Sequence, residues 1–298
     1  MTMSTLLNQT QHLQISQRPQ QAIWQHIDAL ACEALYDELS LENKPGLVCP
    51  SSNGSHIDMN HQTFIDSITS LKGYFAILSQ FGYEDKPFDD IKNQGVFQEK
   101  KMRQATHSIN THKGAIFNLG FVCAAIGRCI QVEIPLTAKN ICAQLVEHWQ
   151  VDLNTRLARD PNSHGQIMFK QYGITGAIEM VANGFEVIQD QILPCFYETI
   201  YRTQDFEKSS MQTLMLLISV LSDTNIVWRG GIDSLRNAQR LATQFLQAGG
   251  VYQSNWRQQV NEINQYFIQH NLSPGGSADL LAVTIFLYKV ENEFNYPI

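Results

Sequence analysis

The run AIFNLGFVCAAIG, residues 115–127, limits the possible folds of this chain more than any other stretch. It is apolar almost all round and rich in small residues. A helix with no polar face is buried on every side, so it belongs in the middle of a larger helical bundle. Asn110-Thr111-His112-Lys113-Gly114 stands at its head. Asn110 or Thr111 is the expected N-cap, its side-chain oxygen taking one of the first free backbone N–H groups. Lys113 and the helix N-terminus would then offer positive charge and free donors at one point, which suits a phosphate. A capped core helix with a chance lysine is the plain alternative, since capped starts are common.

The rest of the chain reads the same way. Apolar residues recur at helical spacing from Pro19 to Leu41, from His61 to Gln80 behind an Asn60 cap, and from Val96 to Thr106. Further helices are expected over 137–149, 211–221, 232–248 and 277–291. In the last, Ser277 is the expected N-cap and Asp279 stands in the first turn. Gly173 and Gly176 mark a bend between two helical pieces in the segment 163–185. No period-two run flanks a hairpin turn, and no repeat or heptad occurs. The expected architecture is all-α, a single large multi-helix domain over 21–298 behind a loose, Gln-rich lead-in at 1–20. Its helix ends and loops are expected to form a central polar cleft.

Composition narrows the function. Charged residues make up only 16% of the chain, against the usual quarter, which implies a large core or an oligomer interface and leaves a homo-oligomer open. The net charge of −7 argues against nucleic acid. Any polyanion must therefore meet locally gathered cations or a metal ion. Cys32, Cys49, Cys123, Cys129, Cys142 and Cys195 form no C-x-x-C pair and read as reduced thiols. No secretory signal or stretch of 18 uncharged apolar residues is present, so no membrane association and a cytoplasmic location are expected.

Five polar clusters each touch the end of an apolar helix: 44–58, 110–114, 163–176, 223–231 and 273–279. Charged groups beside core segments are costly unless they pair or bind something, so five such junctions favour one shared polar site. Asp58, Asp223 and Asp279 are hard oxygen ligands suited to Mg2+, although each alone is better read as a helix cap. Lys44, Lys113 and Arg229 suit phosphates. His56, His112 and His164 lack any zinc spacing. No P-loop, strand-linked G-x-G-x-x-G or G-x-S-x-G elbow is present.

In order, KPGLVCPSSNGSHIDM, INTHKGAIFNLGFVCAAIG, SHGQ…YGITGA, SDTNIVWRGG and SPGGSADLLAVTIFL resemble the motifs of the triphosphoribosyl-dephospho-CoA synthase family. They span residue 44 to about 290, nearly the whole chain. The resemblance implies a helical transferase that joins ATP to 3′-dephospho-CoA and releases adenine. Its product is the precursor of the prosthetic group of an acyl carrier subunit, and is passed on to a carrier-protein modifying enzyme. The free-standing chain and the Gly54-Ser55-His56-x-Asp58-Met59 form of the first motif look more like the malonate decarboxylase branch than the citrate lyase branch. Two departures stand out. Many relatives carry Asp where this chain has Cys49, so that position is not an indispensable metal ligand. Relatives tend to have Gly-Gly-Val where this chain has His107-Ser108-Ile109, which implies a stiffer entry to the central helix.

That reaction is glycosyl transfer. The ribose 2′-hydroxyl attacks C1′ of ATP, adenine leaves, and the oxocarbenium-like state needs a nearby carboxylate. We therefore expect Asp58 and Asp223 as metal or sugar carboxylates and Lys44, Lys113 and Arg229 with Mg2+ on phosphates. His112 and Asn225 would orient substrate, with Asn110 and His56 beside them. Gly275, Gly276, Ser277 and Asp279 would form a further polyphosphate- or metal-facing helix start. Two other readings compete. An Mg2+-dependent hydrolase of nucleotide or ADP-ribose type would release adenine without dephospho-CoA, and a helical scaffold would bind no nucleotide saturably.

Overall fold

In a computed structural model the described residues are 20–156, 167, 171–174 and 176–295. The lead-in at 1–19 and Ser163-His164-Gly165-Gln166 of the third motif lie outside them. The fold is all-α. Among the described residues the sole β-type pairing is an isolated bridge between Cys49 and Ser52. The helices run in order as α1 (Gln20–Ser40), α2 (His61–Leu71), α3 (Tyr74–Tyr83), α4 (Phe88–Ala105), α5 (Lys113–Gln131) and α6 (Ala138–Arg156). They continue as α7 (Ala177–Ala182), α8 (Leu193–Thr203), α9 (Phe206–Val220), α10 (Thr224–Gln247), α11 (Trp256–Gln269) and α12 (Gly275–Asn295).

Helix α5 is the apolar run and stands at the centre, packed by α3, α4, α6, α7 and α12. Residues on all its sides are buried, from Ala115 to Cys129. It is long and apolar enough to cross a membrane, yet it is the core helix of the bundle. Its contact with α3 is backbone to backbone. A Cβ on Gly82 would stand 1.8 Å from the carbonyl oxygen of Ala124, and one on Gly127 would stand 1.9 Å from that of Ser79. The small residues of the run are there for this approach.

Several expectations are corrected. The helix expected over 61–80 is two, because Gly73 takes a left-handed φ of 88° between α2 and α3. The polar cluster 223–231, expected at a helix end before a helix over 232–248, is mostly helical itself; α10 begins at Thr224 and kinks at Gly231, where φ is 77°. Helices α8 and α11 lie outside the expected set, although Trp256, Val260, Ile263 and Phe267 of α11 recur at helical spacing. The Asn60 cap forms as expected, accepting from Thr63 N–H. The Asn110 or Thr111 cap does not form: His112 holds the cap position of α5 without a side-chain bond. All six cysteines are free.

Candidate functional site

The starts of α5, α10 and α12, the loop 44–59 and one face of α4 border a single cavity of about 1750 Å3. Lys44, His56, Asp58, Asn110, His112 and Lys113 lie on its wall, as do Asp223, Asn225, Arg229, Gly275, Gly276 and Asp279. Ser277 does not; it is fully buried behind the wall.

Asp223 fastens two helices. It caps α10 by accepting from Asn225 N–H at 2.9 Å, and its other oxygen takes Ser277 N–H at 2.8 Å and Ser277 Oγ–H at 3.0 Å in the first turn of α12. Burial raises its pKa above the usual carboxylate range in spite of these bonds. Asp279 sits at the N-terminus of α5 instead of facing a metal. A Cβ on Gly114 would stand 1.9 Å from Asp279 Oδ2, and the carboxyl accepts from Ala115 N–H. Burial, then the neighbouring carboxyls of Glu38 and Asp223, push its pKa well above the ordinary carboxylate value. The free helix N-terminus expected to hold a phosphate is therefore already taken by a carboxyl group from α12. That leaves Lys113, which is 58% exposed and 3.5 Å from Glu99 Oε1, as the cation at this corner.

Lys44 is also engaged. It is 1% exposed and spends its ammonium on the Glu38 carboxylate at 2.6 Å and the Glu38 carbonyl at 2.7 Å. Arg229 clamps the wall, donating from Nη1 to Ser55 O at 3.0 Å and to Asn271 Oδ1 at 3.1 Å, and from Nη2 to His56 Nδ1 at 3.0 Å. A guanidinium only donates, so His56 Nδ1 accepts and the ring proton is on Nε2, which faces Ser273 Oγ at 2.9 Å. Burial, then the Arg229 charge, lowers the His56 pKa to about 4. Asp58 Oδ1 lies 3.7 Å from that ring and its side chain is 59% exposed, so its oxygens face solvent.

His112 is held by a short relay. Thr111 Oγ–H donates to Ser67 Oγ at 2.7 Å, and Ser67 in turn bonds His112 Nδ1 at 2.7 Å. This direction places the imidazole proton on Nε2, an assignment made by the donor chain. Burial, then the Lys44 charge, lowers the His112 pKa to about 3, so the ring is neutral. Nε2 is buried and has no hydrogen-bond partner.

No preformed cage of three His, Cys, Asp or Glu ligands for a metal ion is present among the described residues, so Asp58, Asp223 and Asp279 form no shared site. Both oxygens of Asp223 accept cap hydrogen bonds, and Asp279 is a half-buried carboxyl that accepts a backbone N–H. An ion that arrives on a triphosphate needs only one or two protein carboxylates, and the exposed Asp58 fits that smaller demand.

Sequence reasoning missed Glu38, Ser67, Glu99 and Asn118. The first three lie in ordinary amphipathic helices and carry no signal. Asn118 was visible as the lone polar residue within the apolar run.

Comparison with known proteins bears on this site. A sequence model of the ATP:dephospho-CoA triphosphoribosyl transferase family matches residues 24–298. A probable 2-(5″-triphosphoribosyl)-3′-dephosphocoenzyme-A synthase of Acinetobacter calcoaceticus is 52% identical over 90% of this chain and 92% of its own. One of the same name from Citrobacter koseri is 37% identical over 88% of this chain and 89% of its own. No solved structure matches the chain significantly.

Proposed function

The chain belongs to the ATP:dephospho-CoA triphosphoribosyl transferase family, and from that premise we propose that it transfers the triphosphoribosyl group of ATP to the 2′-hydroxyl of 3′-dephospho-CoA with release of adenine. The observation that supports this is the one cavity shared by segments 44–58, 110–114, 223–229 and 273–279, which carries cations, an exposed carboxylate and an unpartnered imidazole nitrogen.

The bond between C1′ and the purine nitrogen breaks and the bond between C1′ and the acceptor oxygen forms, while the triphosphate stays intact. Asp58, the exposed acid on the wall, takes the hydroxyl proton and faces the cationic sugar carbon. His112 donates from Nε2 to the nucleotide, a hydrogen bond that the folded chain leaves unmade. Lys113 meets the triphosphate, which enters as its Mg2+ complex. Asp223, Ser277 and Arg229 act by holding the wall: Asp223 fixes the starts of α10 and α12 together, and Arg229 fixes the loop that carries Asp58. The same placement suits hydrolysis if water replaces the hydroxyl, and an assay separates the two. Purified protein with ATP, Mg2+ and dephospho-CoA is expected to release adenine only when dephospho-CoA is present. Release of ADP or pyrophosphate would overturn the reaction class, and adenine release without the acceptor would make the chain a hydrolase.

We further propose that the enzyme is cytoplasmic and that its product goes to the acyl carrier subunit of malonate decarboxylase. The Gly54-Ser55-His56-x-Asp58-Met59 form of the first motif supports the second point. A strain lacking the chain is expected to lose malonate decarboxylase activity and keep citrate lyase activity; the reverse result would assign it to citrate lyase.

A further inference from the structure

We propose that Asn118 is the specificity-determining residue for the departing base, reading the amino-bearing edge of adenine in the closed end of the cavity. The inference rests on the synthase reading and deepens it.

Among the described residues that carry a buried side-chain oxygen or nitrogen without a hydrogen-bond partner, His112 and Asn118 are the two that line the cavity. Both belong to the start of α5. Asn118 is 2% exposed and its Oδ1 is the unpartnered atom. Leaving an amide oxygen dry and unpaired costs about as much as losing a hydrogen bond, so the folded chain alone gives no reason for an Asn here. A bound ligand does. Asn118 lies one helical turn beyond Gly114, on the same face and about 6 Å along the axis. The same cavity wall carries three rings: Phe117 and Phe121 meet edge to face at 5.1 Å, and Phe88 stacks on Phe121 at 6.0 Å.

An amide on a wall that also carries aromatic rings is complementary to one kind of ligand, a heteroaromatic base that has a donor beside an acceptor on one edge. Adenine presents its 6-amino group next to a ring nitrogen, the pair that an Asn amide meets with its oxygen and its NH2. The rings supply the stacking surface. Both substrates contain adenine, and geometry selects the one that leaves. Displacement at an anomeric carbon puts the leaving group opposite the incoming hydroxyl. Asp58 and Lys113 are exposed at the mouth, whereas Asn118 is buried farther along α5. The base that departs therefore occupies the closed end, and the acceptor enters from the mouth.

The test compares ATP with purine riboside triphosphate, which lacks the 6-amino group. On the unaltered protein kcat/KM is expected to be about tenfold higher for ATP. In Asn118→Leu, a near-isostere, the two nucleotides should fall within about twofold, while KM for dephospho-CoA is unchanged. Equal use of both nucleotides by the unaltered protein, discrimination retained in the variant, or a loss that falls on dephospho-CoA would each overturn the proposal. Calorimetry with free adenine separates this failure from failure of the synthase reading, because it needs no turnover. Adenine binding to the unaltered protein that Asn118→Leu weakens about tenfold supports a base site even where no transfer is seen. Equal binding by both proteins refutes the site even where transfer is seen.

Discussion

His112 should make the protein acid-labile by an amount that its burial sets. In the fold its pKa is lowered to about 3, by burial first and by Lys44 second; in the unfolded chain it returns to the ordinary 6.5. Above pH 6.5 both states are neutral and the contribution to stability is complete. As pH falls the unfolded chain takes a proton that the folded chain refuses until about pH 3, so stability drains away across that window. Each pH unit is worth about 1.4 kcal/mol, so a step from pH 7 to pH 5 costs about 2 kcal/mol from this one residue. Asp223 and Asp279 act with the opposite sign, because burial raises their pKa values and the fold keeps their protons more readily. A variant comparison cancels them. Urea unfolding of the wild type and of His112→Gln at pH 7 and pH 5, followed by circular dichroism, should show the wild type losing about 2 kcal/mol more than the variant. An equal loss in both proteins would mean that His112 is not held neutral, and the Thr111–Ser67–His112 relay would have to be abandoned with it.

Other perturbations probe separate contacts. Gly127→Ala forces a Cβ to within 1.9 Å of the Ser79 carbonyl oxygen and should cost about 3 kcal/mol in urea unfolding; an unshifted midpoint would disprove the backbone contact. Lys44→Met strands a buried Glu38 and should cost about 3–5 kcal/mol, most of it recovered by adding Glu38→Gln; no recovery in the double variant would refute the pairing. Ser108 holds a left-handed φ of 72°, so Ser108→Gly should raise stability by about 1 kcal/mol, and a loss would show that the loop is unstrained. Lys113→Ala removes an exposed cation from the cavity mouth and should raise KM for ATP about tenfold with the unfolding midpoint unchanged; an unchanged KM would remove Lys113 from the triphosphate.

The central helix could be read directly, because a run with no polar side has only one place to go. Apolar stripes also located several of the other helices, among them Gln20–Ser40 and the start of His61–Leu71, but the starts at Phe88, Phe206 and Thr224 lie five to eight residues before the expected ones. What periodicity could not show was the partner of each cap. Asp223 and Ser277 are 54 residues apart, and Asp279 reaches the start of α5 from the far end of the chain. Residue type marked them all as polar residues at helix ends; Asp223 and Asp279 line the cavity, whereas Ser277 is buried behind its wall. Their individual tasks were not legible, since a carboxylate that caps a distant helix and one that faces a substrate look alike in one dimension. Lys44 is the sharpest case: as a sequence symbol it is a cation, and in the fold Glu38 has already cancelled it. His107 and Ser108, at the entry to the central helix, both hold left-handed backbone, with φ of 52° and 72°, which residue type alone did not announce.

The touching backbones of α3 and α5 determine where the cavity can widen. With no layer of side chains between them there is nothing to compress or re-pack, and Gly82 and Gly127 admit no sliding without collision. The loop 44–59 on the same cavity is held differently, by side-chain hydrogen bonds from Arg229 that also reach Asn271. Breaking those bonds would free Asp58 and the solvent-facing Ile57 together, since both ride on the same short strip of chain.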